Sequence, residues 1–359
     1  MKIAFIVRST INHVKGGDSM QVNNTAIALR KLNVEVDIKL STDKIDYGKY
    51  DLLHLFNLIR PADHLLHISK SKVPYVVSSI YLDYSQFDHH GRVGVLKLFF
   101  GLLGKNNAEF VKNNFRFLLN QDKLASKEYL LGHKRAVKKI LSNARLILPN
   151  SESEFLRIKK DYSFSKEYVV IPNGINTDIF KNIPKIDRID NQVICVGQIY
   201  GLKNQHRLIE ATKDLGVKLV IIGKSPPNHI YYNNYCRKIA GSNVQFFDFM
   251  PQEKLLMHYA QSKVHALPSW FETTGLSSLE AGVMGCNLVV GHGGDTMDYF
   301  KNHASFCDVI DNKSIQDAIE IQLNKPTNFE FREVILENYT WDHTAKKTLL
   351  SYKKALNVD

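Results

Sequence analysis

Along the chain, short apolar runs of four to eight residues alternate with longer segments whose apolar positions recur every three or four residues. The first pattern predicts buried β-strands and the second amphipathic helices. Strands are predicted over 2–7, 34–40, 52–56, 75–79, 146–149 and 168–171, and then over 192–196, 218–222, 244–247, 264–266 and 288–290. Helices are predicted over 19–32, 105–120, 127–143, 152–161, 204–215, 233–240, 252–261, 277–284 and 314–323, with a last one from 341 to 356. Strands alternating with helices throughout argue for an α/β fold class with doubly wound domains. No repeat or low-complexity tract interrupts the pattern.

A chain of 359 residues exceeds what one core normally supports, so two domains are expected. The polar stretch 184–190, PKIDRID, reads as a linker before the second α/β set. At 44% hydrophobic and 23% charged the composition is that of an ordinary globular protein. No apolar run approaches the roughly 20 residues of a membrane-spanning helix. The opening MKIAFIV is too short for a signal peptide and reads as a first buried strand, so a cytoplasmic location is expected. Cys195, Cys236, Cys286 and Cys307 form no C-x-x-C pair and are expected to be reduced structural thiols. No metal site is expected.

The net charge of +11 is uneven. Residues 92–145 hold twelve Lys/Arg against three Asp/Glu, which accounts for +9 of it. The same stretch contains the apolar run VGVLKLFFGLLGK at 93–105. Apolar and basic character together suit peripheral docking on an anionic membrane surface, while a core helix with a solvated basic face explains them equally well. The stretch lacks a recognisable nucleic-acid motif, so nucleic acid is not expected as a partner.

The candidate chemistry centres on FETTGLSSLEA at 271–281. Thr273, Thr274 and Gly275 sit poorly in a helix interior and Leu276–Met284 sits well, so Glu272 is expected on a loop and Glu280 within a helix. Between them, the helix N-terminus presents unpaired N–H groups and a positive dipole end suited to a phosphate. Upstream lies a predicted strand ending VHALP, and downstream a turn, the strand LVVG and a Gly293-Gly294 turn. Near the N-terminus, Gly16-Gly17 precede a helix, which lets backbone approach a ligand closely.

This strand–loop–helix–strand–loop unit resembles the donor-site segment of retaining glycosyltransferases of family 4 (glycosyl transferases group 1), whose fold is GT-B and whose motif is E-x7-E. Thr274 stands where Phe is usual, and Asn287 where Pro is usual. Three further segments match in part: VGQIYGLKN at 196–204, PNGINTDIF at 172–180 and FFDFMP at 246–251. The resemblance implies two Rossmann-like domains facing a cleft: an acceptor domain over 1–178 and a nucleotide-sugar domain over 179–339. A C-terminal helix, 340–359, would return to the first domain.

The resemblance also implies roles. Glu272 would lie beside the donor sugar and stabilise positive charge at the anomeric carbon, and Glu280 would accept both ribose hydroxyls. Lys203, with N–H groups around Gly275 and Leu276, would neutralise the departing diphosphate without a metal, and no Asp-x-Asp occurs. Gln198 stands where the family has Arg, so it brings a hydrogen-bond donor but no charge. Gly16 and Gly17 match a loop that faces the diphosphate and acceptor, and Met250 lies in the loop flanking the nucleobase. No His falls in register after the fourth strand, which leaves Tyr81, Asp83 and His90 as acceptor-side candidates.

The implied activity is retaining transfer from a UDP- or GDP-sugar to a glycan or lipid-linked acceptor in surface polysaccharide or glycoconjugate assembly, peripheral to the inner membrane face. The alternatives are a non-catalytic or weakly active nucleotide-binding subunit of an assembly complex, and a nucleotide-sugar epimerase on the same fold.

Overall fold

The computed structural model describes residues 1–13, 16–91, 105–118, 129, 132–327 and 329–358. The chain forms two compact units. The first comprises Met1–Leu82, Phe99–Asn173 and Trp341–Asp359, and the second Asp83–Leu98 and Gly174–Thr340. The crossing at Asn173/Gly174 lies five residues before the position implied by resemblance. The short helix α6 (Thr177–Phe180) already belongs to the second unit, with Phe180 fully buried in its core. Of Asp83–Leu98, the described residues 83–91 also group with the second unit.

In the first unit, β1 (Lys2–Val7), β2 (Glu35–Leu40), β3 (Leu52–Phe56), β4 (Tyr75–Ser78) and β5 (Leu146–Leu148) form a parallel sheet in the order β2-β1-β3-β4-β5. Its apolar strands are buried almost without interruption, as a sheet covered on both faces requires. Helices α1 (Gly17–Lys31), α2 (Ala62–Lys70), α3 (Lys105–Leu118), α4 (His133–Asn143) and α5 (Glu152–Tyr162) connect or flank the strands. The expected strand at 168–171 is reduced to one bridge, Tyr168 to Ile147. Pro149 and Pro172 flank that edge and have no N–H to extend a ladder. Helix α2 escaped the hydrophobic pattern because its buried face is Asp63, His64 and His67 as well as Leu65.

The C-terminal helix α14 (Trp341–Leu356) packs on α1 and β4 of the first unit, as resemblance implied. The Tyr352 hydroxyl lies 2.6 Å from His54 Nδ1, and His54 Nε2 lies 2.8 Å from Ser78 Oγ. Burial pushes the His54 imidazole down to about 3, so it is neutral and bridges helix and sheet as a hydrogen-bonding group.

In the second unit, β6 (Ile189–Val196), β7 (Lys218–Ile222), β8 (Val244–Phe247), β9 (Ser262–Leu267), β10 (Asn287–Gly291) and β11 (Ala304–Cys307) form a parallel sheet in the order β11-β10-β9-β6-β7-β8. Helices α7 (Gln205–Thr212), α8 (Ile230–Ile239), α9 (Gln252–Gln261), α10 (Leu276–Val283), α11 (Thr296–Phe300), α12 (Asn312–Asn324) and α13 (Glu330–Asn338) surround it. Alternate residues of β6 enter different cores. Ile194 and Val196 join Tyr259, Leu279 and Phe331, while Val193 and Cys195 join Leu208 and Ile319. Strand β11 and helix α13 were not expected, the one being a short edge strand and the other a nine-residue helix. All four cysteines are buried free thiols.

Most of the apolar run proposed for membrane docking, 93–104, lies outside the described residues, as do 119–128, 130 and 131. Helix α4 within the basic stretch buries Ala136, Val137, Ile140 and Leu141 and exposes Lys134, Arg135 and Lys139, which is a core helix with a solvated basic face. Among the described residues no helix is long and apolar enough to cross a membrane.

Candidate active site

In the second sheet β6 is flanked by β7 on one side and β9 on the other, so the chain reverses its direction of winding between β6 and β9. Open parallel sheets bind ligands outside the carboxyl ends of the strands at such a reversal. The loop after β6 carries Gln198 and Lys203, and the loop after β9 carries Glu272. A backbone bond from Trp270 N–H to the Leu202 carbonyl (2.9 Å) ties the two loops together. Strand adjacency and this one bond bring Lys203 and Glu272, 69 residues apart, into an ion pair between Nζ and Oε1.

The pair is held on both sides. Lys203 ends a 3-10 turn, Gly201–Lys203, and the next residue, Asn204, is left-handed at φ 62°. Asparagine tolerates that conformation better than most residues. Asn204 is fully buried and donates to the Val309 carbonyl at 2.8 Å. Glu272 donates its N–H to the Gly293 carbonyl (3.2 Å) and accepts from Asp295 N–H (2.8 Å). A Cβ on Gly294 would sit 2.1 Å from the Glu272 carbonyl oxygen, at a φ of +89°, so the Gly-Gly turn is what lets this backbone close on Glu272. The two side chains keep 17% and 13% exposure. Burial pulls the Lys203 ammonium down, but Glu272, together with Tyr200 and Cys195, holds it above the ordinary lysine value.

Gly275, left-handed at φ 77°, caps α10, and its carbonyl accepts from Ser278 N–H (2.9 Å) and Leu279 N–H (3.1 Å). Intrahelical bonding therefore starts after Leu276 and Ser277, whose N–H groups lie in the unpaired first turn. Glu280 lies about one turn into this helix, 8% exposed. It accepts from Gln252 Nε2 on one oxygen and from the Tyr259 hydroxyl (3.1 Å) on the other. Burial raises the Glu280 carboxyl from 4.5 to about 7, although both hydrogen bonds work against that rise. Gln252 and Tyr259 were missed in the sequence. Their spacing of seven residues, two turns of α9, places both on the face toward Glu280 and is the signal that could have found them.

The remaining donor-side candidates are less committed. Gln198 is exposed, and its carbonyl accepts from Gln205 Nε2 at 2.8 Å. Met250 is half-buried against the core, whereas the preceding Phe249 is 72% exposed.

In the first unit, Gly16 and Gly17 open α1, as expected. The Gly16 N–H donates to Ser19 Oγ (2.9 Å), and the Asp18 carboxylate in the first turn takes both Nε (2.6 Å) and Nη2 (3.0 Å) of Arg8. Arg8, 8% exposed at the end of β1, was not singled out by sequence reasoning, because a lone Arg after a strand carries no spacing signal.

The acceptor-side candidates separate. Tyr81 is buried in the first unit. It is 1% exposed, and its hydroxyl donates to Asp161 (2.7 Å) and lies 3.3 Å from the Tyr162 hydroxyl. Asp83 is half-buried and its carboxylate accepts from Ser85 N–H at 3.0 Å. His90 is exposed in the wide turn Phe87–Gly91.

Comparison with known proteins bears on the second unit first. Residues 176–339 match the family model described as glycosyl transferases group 1. That segment is similar to the group 1 glycosyltransferases over most of the second unit. An uncharacterized glycosyltransferase of Methanocaldococcus jannaschii is 27% identical over 215 residues, 53% of this chain and 54% of its own, so the chain spans about half the length of that relative. The D-inositol 3-phosphate glycosyltransferase of Corynebacterium aurimucosum is 24% identical over 324 residues, 76% of this chain and 74% of its own. Among solved structures, a sucrose-phosphate synthase from Thermosynechococcus elongatus has a TM-score of 0.76 at 16% identity over 99% of both chains. Anabaena HepE in complex with UDP and glucose has a TM-score of 0.68 at 14% identity, over 98% of this chain and 99% of that one. The fold is therefore GT-B, with two parallel-sheet Rossmann-like domains.

Proposed function

We propose that the chain is a metal-independent retaining glycosyltransferase of family 4, with 271–281 as its E-x7-E motif. It would move a sugar from a UDP- or GDP-sugar to a glycan or lipid-linked acceptor. The observation that carries this reading is the arrangement of three charges about one helix start. Lys203 and Glu272 pair at the strand reversal, and Glu280 sits about one turn inside the helix that Gly275 caps. A nucleotide sugar needs those chemistries in that order. Glu280 accepts from the two ribose hydroxyls, and the N–H groups of Leu276 and Ser277 meet the diphosphate. Lys203 leaves Glu272 to take up charge on the departing diphosphate, which frees Glu272 to face the anomeric carbon as it becomes positive. Cytoplasmic assembly of surface polysaccharide, peripheral to the inner membrane face through 92–145, suits the basic charge of that stretch.

A second reading, a nucleotide-binding subunit of an assembly complex with little turnover, is favoured by Gln198, a neutral side chain at the position where Arg would face the diphosphate. One experiment separates the two. UDP-, GDP- and other nucleotide sugars are screened by thermal shift, since a ligand of the folded form raises its melting temperature. Stabilising sugars are then followed for nucleotide release and anomeric configuration of the product. Release with retained configuration supports the transferase, and binding without release supports the subunit. Sugar conversion without an acceptor would make it an epimerase, and a screen with no stabilising nucleotide would refute the donor site.

A further inference from the structure

Phe87 lies on the seam that joins the two catalytic loops. Its ring centroid is 6.1 Å from that of Trp270 in an edge-on arrangement. On its other side it meets Gly201, where a Cβ would come within 3.1 Å of Phe87 Cζ. Gly91 closes the turn beneath the ring, with space for no side chain: a Cβ there would be 2.3 Å from Phe87 Cδ2 and 3.1 Å from Trp270 Cε2. Gly201 stands two residues before Lys203 and Trp270 two residues before Glu272. The bond from Trp270 N–H to the Leu202 carbonyl crosses between them. The turn that carries Phe87 comes from the end of the first domain's β4, yet it groups with the second unit. Asp88, 4% exposed, anchors it through its N–H to the Tyr84 carbonyl at 2.7 Å.

We propose that Phe87 is a positioning residue that holds the Lys203 and Glu272 loops in register, so that the ion pair meets the donor in one geometry. The proposal rests on the reading of Lys203 and Glu272 as the donor-site pair. Phe87 packs against residues that carry the loops of both charged groups. Gly91 is required for that contact, because a Cβ there would lie 2.3 Å from the ring, whereas a Cβ at Gly201 would meet the ring edge at 3.1 Å. Displacement of catalytic groups by about 1 Å costs on the order of 100-fold in rate, while a nucleotide gripped mainly by Glu280 and the start of α10 keeps its affinity.

The test uses the full chain carrying Trp341→Phe, since the sequence holds two tryptophans and this leaves Trp270 as the sole reporter. Phe87→Ala and Phe87→Leu are compared with this parent. Trp270 emission, dissociation constants for UDP and GDP, turnover of the cleaved nucleotide sugar, and acetylation of Lys203 by acetic anhydride mapped by mass spectrometry are measured. Phe87→Ala should shift Trp270 emission to the red, raise Lys203 acetylation and lower kcat at least about 10-fold, with nucleotide affinity unchanged. Phe87→Leu should recover most of each. Unchanged Lys203 acetylation in Phe87→Ala overturns the positioning role whatever the turnover, and so does unchanged kcat in a parent that turns over. A parent that cleaves no nucleotide sugar, with the acetylation response intact, refutes the transferase reading and leaves the loop contact standing.

Discussion

Replacing Glu280 with Gln tests the proposed donor site through a group whose ionisation works against the fold. Burial raises this carboxyl from 4.5 to about 7, so the folded protein binds its proton more tightly than the unfolded chain does. The stabilisation from that proton is complete below pH 4.5 and is lost as pH rises through 7. A difference of about 2.5 units corresponds to roughly 3 kcal/mol when fully expressed, at 1.36 kcal/mol per unit. About 2 kcal/mol of this falls between pH 5.5 and pH 8. Glu280 is 8% exposed, so little is lost to solvent screening. Glu280→Gln keeps the shape and an acceptor for Tyr259 but cannot ionise. Urea denaturation of parent and variant at the two pH values, taken as a difference, cancels every other titrating group. The variant should gain about 2 kcal/mol on the parent from pH 5.5 to pH 8. A difference that does not move with pH would refute the argument that burial controls this carboxylate. UDP affinity should add a second signature. Ribose hydroxyls donate to the ionised form, so the parent should gain affinity over this range relative to the variant.

Glu272→Gln removes the partner of a largely buried ammonium. It should cost about 2 kcal/mol in urea denaturation, below the 3–5 kcal/mol of a fully buried pair because both side chains keep some exposure. It should also lower turnover by roughly 100-fold or more with nucleotide affinity less affected; wild-type turnover would remove Glu272 from the chemistry. Excess EDTA should leave transferase activity in place, and complete loss restored by a divalent metal would overturn metal independence. Tyr352→Phe should destabilise the protein by about 1 kcal/mol through the lost bond to His54 and leave UDP affinity in the second domain unchanged, as urea denaturation and calorimetry would show.

Much of the architecture is legible because both sheets are parallel and covered. Most of their strands contain short apolar runs, and ten of the eleven strands of the two sheets fall where the sequence predicts them. The elements missed are those whose buried face is polar or short. Helix α2 hides its periodicity behind His64 and His67, and β11 buries only Cys307 fully. In the site, Gly275 and the Gly293-Gly294 turn were readable because a left-handed φ or a close backbone approach leaves glycine as the residue of choice.

The sequence by itself determined the α/β class, the order of strands and helices, and the placing of Glu272 on a loop and Glu280 in a helix. Local periodicity and backbone preference act over a few residues, and each of these properties is local. Only the tertiary structure decided which distant groups meet. Lys203 reaches Glu272 because β6 and β9 are neighbours in the sheet, and Glu280 meets Gln252 and Tyr259 because α9 packs beside α10. It also set the Tyr81 hydroxyl against Asp161. The Glu280 carboxyl near 7 likewise belongs to the packing, since a pKa follows desolvation and partners, neither of which a chain possesses until it folds.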